Sequence, residues 1–121
     1  MTDTTVKDRR IHQRHEAEVD VQGTAADGAH VVRMVTRNLS VGGVYCTSTH
    51  DFREMTQLAV RLMIPARESG RPEPVDVGAV VVRRRELVGA AGAPRYEFAL
   101  FFHKVDPVAR ERIAWFLSSQ S

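Results

Sequence analysis

The chain has 121 residues, 43% apolar and 26% charged, with a formal net charge of +2; that length fills one core and leaves no room for a second comfortable domain. So small a net charge supplies no global field for indiscriminate binding to nucleic acid or membranes, and no stretch approaches the roughly 20 apolar residues that span a bilayer. One cysteine, Cys46, excludes an internal disulfide, and the polar Met-Thr-Asp-Thr-Thr start lacks an apolar signal segment, so a cytoplasmic protein without direct membrane insertion is expected.

Residues 1–8 are polar and aperiodic and read as a flexible tail ahead of a basic loop over 9–15, Arg9-Arg10-Ile11-His12-Gln13-Arg14-His15. From Glu16 the pattern alternates, Val19 and Val21 on one side and Glu18, Asp20 and Gln22 on the other, the period of a half-buried strand. Gly23 to Gly28 supplies a turn, and His30 to Arg37, carrying Val31, Val32, Met34 and Val35, predicts a second strand. Asn38-Leu39-Ser40-Val41-Gly42-Gly43 interrupts it, and two adjacent glycines permit positive φ and close backbone approach before a third strand over Val44 to Thr47. Leu58, Val60, Leu62 and Ile64 alternate along a fourth strand that Pro65 ends. A solvated connection over Ala66 to Pro74 leads to a fifth, Val75 to Arg85, with Val80, Val81 and Val82 as its core.

A small-residue turn, Gly89 to Pro94, joins it in a hairpin to a sixth strand, where Tyr96, Phe98, Leu100 and Phe102 alternate with Glu97, Ala99 and Phe101. Then the period changes. Asp106 can cap a helix, Pro107 suits its first position, and Ala109, Ile113, Phe116 and Leu117 share one face. The fold class is mainly β: a small six-stranded antiparallel barrel over 16–103 with a C-terminal α-helix over 106–118, one domain spanning 9–121.

Two clusters carry possible chemistry. Arg9, Arg10 and Arg14 lie in a segment too polar for the core, and guanidinium forks bind phosphate oxygens bidentately, grip the O6 and N7 edge of guanine, or stack on a purine. A solvated basic linker explains the same residues. In Asn38-x-Ser40-x-x-Gly43 an amide, a hydroxyl and the bare backbone of Gly42 and Gly43 can read a base edge; a polar turn bonded to its own backbone is the plainer explanation.

In this order the clusters are more specific. Arg10-x-x-x-Arg14 followed two strands later by Asn38-x-Ser40-x-x-Gly43 resembles the paired signature of PilZ domains, and the resemblance extends through "NLSVGG", "VVRR", "YEFALFF" and the final helix, nearly the whole chain. It implies a PilZ-type barrel that binds cyclic di-GMP, with Arg10 and Arg14 holding guanine and phosphate from a mobile loop and Asn38, Ser40 and Gly43 meeting the ligand from the barrel face. It also implies that Arg9, directly before the motif, stacks on a base of an intercalated ligand dimer. Ala99 departs from the pattern, standing where many relatives carry glycine three residues before Phe102.

Other signals point away from catalysis and cofactors. His12, His15, His30, His50 and His103 are not joined by carboxylates or cysteines into a metal site, and Ser40 lacks the surroundings of a nucleophile. Cys46 reads as a small buried hydrophobe, and Trp115, partly off the helix face, as an interface anchor if exposed. The expectation is a non-enzymatic receptor and adaptor that changes conformation on binding cyclic di-GMP and signals to an effector protein or a second copy of itself. Its rivals are a PilZ-like interaction module that binds no nucleotide and a small barrel for single-stranded nucleic acid. Nucleic acid is not expected as a partner, because the aromatics fall at strand or helix positions suited to burial.

Overall fold

A computed structural model describes residues 19–25, 31–88 and 94–120. Six strands, β1 (Asp20–Ala25), β2 (Val31–Leu39), β3 (Gly43–Ser48), β4 (Gln57–Pro65), β5 (Pro72–Val88) and β6 (Pro94–Lys104), precede one helix, α1 (Pro107–Ser119). The strands close into a barrel in the order β1-β2-β3-β6-β5-β4, every neighbouring pair antiparallel. This is the expected six-stranded barrel with a C-terminal helix.

The period-2 alternation decides what fills it. Leu58, Val60, Leu62 and Ile64 on β4 are buried, as are Val44 and Cys46 on β3 and Phe98, Leu100 and Phe102 on β6. Cys46 Sγ lies 3.5 Å from Met34 Sδ in the same core, and burial, assisted by the negative charge of Glu97, pushes the Cys46 thiol up to about 12. α1 starts as expected: the Asp106 carboxylate accepts from Ala109 N at 2.8 Å with Pro107 behind it, and Ala109, Ile113, Phe116 and Leu117 are buried. Arg112 adds a clamp to the β4–β5 turn, donating to the carbonyls of Ile64 at 2.8 Å, Pro74 at 3.2 Å and Glu73 at 3.4 Å. Trp115 is half-buried and packs against the core, so it is less exposed than its position off the helix face suggested. No helix among the described residues is long and apolar enough to cross a membrane.

Several boundaries differ from the sequence reading, each for a local reason. Gly23 sits inside β1 rather than in a turn, where the end of the Met34 side chain packs over it. β2 runs on through Asn38 and Leu39, and β5 begins at Pro72, paired with Pro65. Val82, expected in the core, is 49% exposed: it follows the buried Val81 and faces outward by simple alternation, and the bulge between Val81 and Arg83 leaves it without a partner in the register. Past Val80, β5 loses β4 as a partner; Met55 N and Thr56 O bond Val81 instead, and Arg84 donates to Asp51 at 2.5 and 2.8 Å, so the exposed edge is covered by the 49–56 connection.

Candidate functional site

The β2–β3 turn is built around Ser40. Its N–H donates to Gly43 O at 2.9 Å, its hydroxyl donates to the same oxygen at 3.3 Å, and that hydroxyl accepts from Gly42 N at 3.3 Å. Ser40 is 1% exposed, so its hydroxyl shapes the turn from inside. Phe102 N then donates to Gly42 O at 2.9 Å, anchoring the turn to β6. Gly43 pairs with Phe101 at such close range that a Cβ there would stand 2.2 Å from Leu100 O. Close approach is therefore what selects glycine: Gly70 is the one described glycine with left-handed φ, +72°.

Two bulges govern what faces outward beside this turn. Simple alternation after the buried Thr36 would aim Asn38 into the barrel; the irregularity between Thr36 and Asn38 absorbs one residue and pairs Asn38 with the outward Tyr45. On β5 the bulge at Val82 does the same for Arg83, which pairs with the outward Ala99, itself opposite Tyr45. One row across four strands thus carries Asn38, Tyr45, Ala99 and Arg83, a span of roughly 14 Å at the usual strand spacing. Tyr45, Arg83, Arg85, Glu97 and Ala99, with Phe98 at its base, line an open groove of about 250 Å³ on this face.

The charges in the groove are unequal. Arg85 donates to Glu97 at 2.6 Å and offsets it. Arg84 is held by Asp51 and lies over the Tyr96 ring, its guanidinium carbon 5.1 Å from the centroid. The hydrogen bond from Arg84 holds the Asp51 carboxyl below the usual carboxylate range. The Arg83 side chain has neither hydrogen bond nor ion pair among the described residues and is exposed, so among those residues the groove keeps one positive charge that nothing offsets.

Of the seven expected site residues, Asn38, Ser40, Gly42 and Gly43 come together in this turn. Arg9, Arg10 and Arg14 lie outside the described residues, as does the boundary of the 1–8 tail. The first described residue after them is Val19, whose carbonyl accepts the hydroxyl of Thr36, two positions before Asn38.

The PilZ domain family model matches residues 8–119. The chain belongs to the PilZ domain family. No curated protein sequence matches it significantly. Among solved structures this PilZ domain is similar to the PilZ domain of YcgR from Escherichia coli with c-di-GMP, at 17% identity and a TM-score of 0.64 over 93% of this chain and 92% of that one. It is also similar to the K. pneumonia MrkH complex with c-di-GMP, at 16% identity and a TM-score of 0.72 over 93% and 51%. The Bacillus subtilis inhibitor of motility MotI/DgrA gives 20% identity and a TM-score of 0.70, again over 93% and 51%. The chain spans about half the length of the MrkH and MotI/DgrA chains. At these identities the likeness establishes the fold.

The sequence reading of this PilZ domain did not single out Tyr45, Arg83, Arg85 and Glu97, which line the groove. The signal available was the Arg83-Arg84-Arg85 run beside an alternating sixth strand. Strict alternation from the buried Val81 assigns Arg83 inward, and only the bulge reverses it.

Proposed function

We propose that this PilZ domain is a receptor for c-di-GMP, gripped between the Arg9, Arg10 and Arg14 guanidiniums and the outer face that carries Asn38 and the Ser40 to Gly43 turn. The observation that carries this reading is the hydrogen bond from Thr36 to Val19 O, which brings the chain into the barrel beside β2, four residues before Ser40. β1 runs antiparallel to β2, with Asp20 opposite Val35, so its upstream direction is toward Asn38. Arg14 is five residues before Val19, a reach of at most about 17–18 Å of extended chain, which spans the distance to the turn. Two solved relatives of the same fold hold c-di-GMP.

The chemistry fits the ligand. Guanidinium forks pair with phosphate and with the O6 and N7 edge of guanine, and Gly42, partly exposed beside the buried Gly43, leaves bare backbone against which a flat ring rests. Ser40 contributes through the shape of the turn, and Asn38 stands in the outward row beside Tyr45. Because the ligand bridges the arginine segment to the barrel, binding favours the closed arrangement by the contacts made only there. That arrangement is the surface offered to an effector protein.

Titration calorimetry with c-di-GMP, with a single-stranded oligonucleotide as control, tests the reading. Heat and saturation with c-di-GMP alone support it; two ligands per chain add the base-stacking role of Arg9, and one removes it. No binding of either ligand leaves a nucleotide-free interaction module, and binding of the oligonucleotide alone leaves a nucleic-acid barrel.

A further inference from the structure

We infer that Arg83 is a further guanidinium of the ligand site, holding a phosphate of the cyclic dinucleotide from the side of the groove opposite the Ser40 turn. This rests on the receptor reading above and adds a contact that neither the arginine segment nor the Asn38 turn supplies. Three observations converge on Arg83. It stands in the same outward row as Asn38, with Tyr45 and Ala99 as the floor between them. Its orientation depends on a bulge that mirrors the one aiming Asn38, and bulges that re-aim a side chain gather beside functional sites. Its charge is uncompensated: Arg84 is bound by Asp51, Arg85 by Glu97, Arg61 across the barrel by Asp76, while Arg83 has no such partner among the described residues.

The electrostatics explain why the neighbours are arranged as they are. Glu97 in the same groove would repel a dianion, and Arg85 at 2.6 Å offsets it, so among the described residues that line the groove Arg83 gives it its net attraction. Ala99 keeps the floor low, where a longer side chain would stand between Tyr45 and Arg83. An anionic ligand seated on the Ser40 turn and extending across Ala99 brings its far phosphate to Arg83.

The test is titration of c-di-GMP into the full chain, its Arg83→Ala and Arg83→Lys variants, and Arg61→Ala as a charge control on the other wall. Loss of a charge-assisted hydrogen bond predicts about tenfold or weaker binding for Arg83→Ala, with reduced sensitivity to salt and an unchanged melting temperature. Arg83→Lys recovers most of the affinity, because a phosphate accepts a point charge, and Arg61→Ala binds as wild type. Glu97→Gln, which removes the opposing charge, binds more tightly. Wild-type affinity and salt dependence in Arg83→Ala overturn this assignment while leaving the receptor reading intact. A wild-type chain that does not bind c-di-GMP overturns both.

Discussion

Substituting Gly43 by alanine tests whether close packing selects the glycine of the turn. The added methyl would meet Leu100 O at 2.2 Å, with Leu100 C at 3.3 Å and Phe101 Cα at 3.5 Å. All three are backbone atoms of β6, so no side chain can swing away, and the strands must part by on the order of 1 Å to restore ordinary contact. Parting weakens the pairing of Gly43 with Phe101 and the bond from Phe102 N to Gly42 O. Overpacking of this kind costs about 1–3 kcal/mol, and one weakened backbone hydrogen bond about 1 kcal/mol more. In urea the unfolding midpoint should fall by the equivalent of about 2–4 kcal/mol with its slope unchanged. Gly23→Ala is the control: its methyl would lie 2.6 Å from Met34 Cε, the free end of a flexible side chain, so its cost should be smaller. A Gly43→Ala protein as stable as wild type, or less affected than Gly23→Ala, would refute the close-approach argument.

Two further outcomes follow from the electrostatics. The Cys46 thiol, buried and raised to about 12, should resist alkylation in the native protein at neutral pH and label only as the chain unfolds; rapid labelling without unfolding contradicts its placement. The Asp51 carboxyl is held low chiefly by its hydrogen bond from Arg84, so its contribution is present above the ordinary carboxylate range and is lost as pH falls through and below it. The pair is exposed and the effect correspondingly small. Melting temperature against pH should therefore fall less steeply on the acid side in Asp51→Asn than in wild type, and parallel curves would remove the pair from the account.

Most of the barrel was legible because its inward residues obey a simple period. Leu58 to Ile64, Phe98 to Phe102 and the helix face of Ala109, Ile113, Phe116 and Leu117 are buried as their spacing requires. What the spacing hid were the places where the period breaks. A bulge costs one residue and flips every side chain after it, so Asn38 and Arg83 acquired their outward aim from pairing that no local pattern encodes. The close approach at Gly43 was legible, while the inward turn of the Ser40 hydroxyl required the three-dimensional turn. The groove over Ala99 was half legible, since the residue departs from the family pattern, but Tyr45 and Arg83 join it only through strand register.

The most direct measurement is the affinity of Arg14→Ala for c-di-GMP beside that of the wild-type chain, with melting curves of both. The account predicts saturable binding by wild type, nearly abolished binding by the variant, and melting temperatures that coincide. Equal affinity in the two proteins would contradict it.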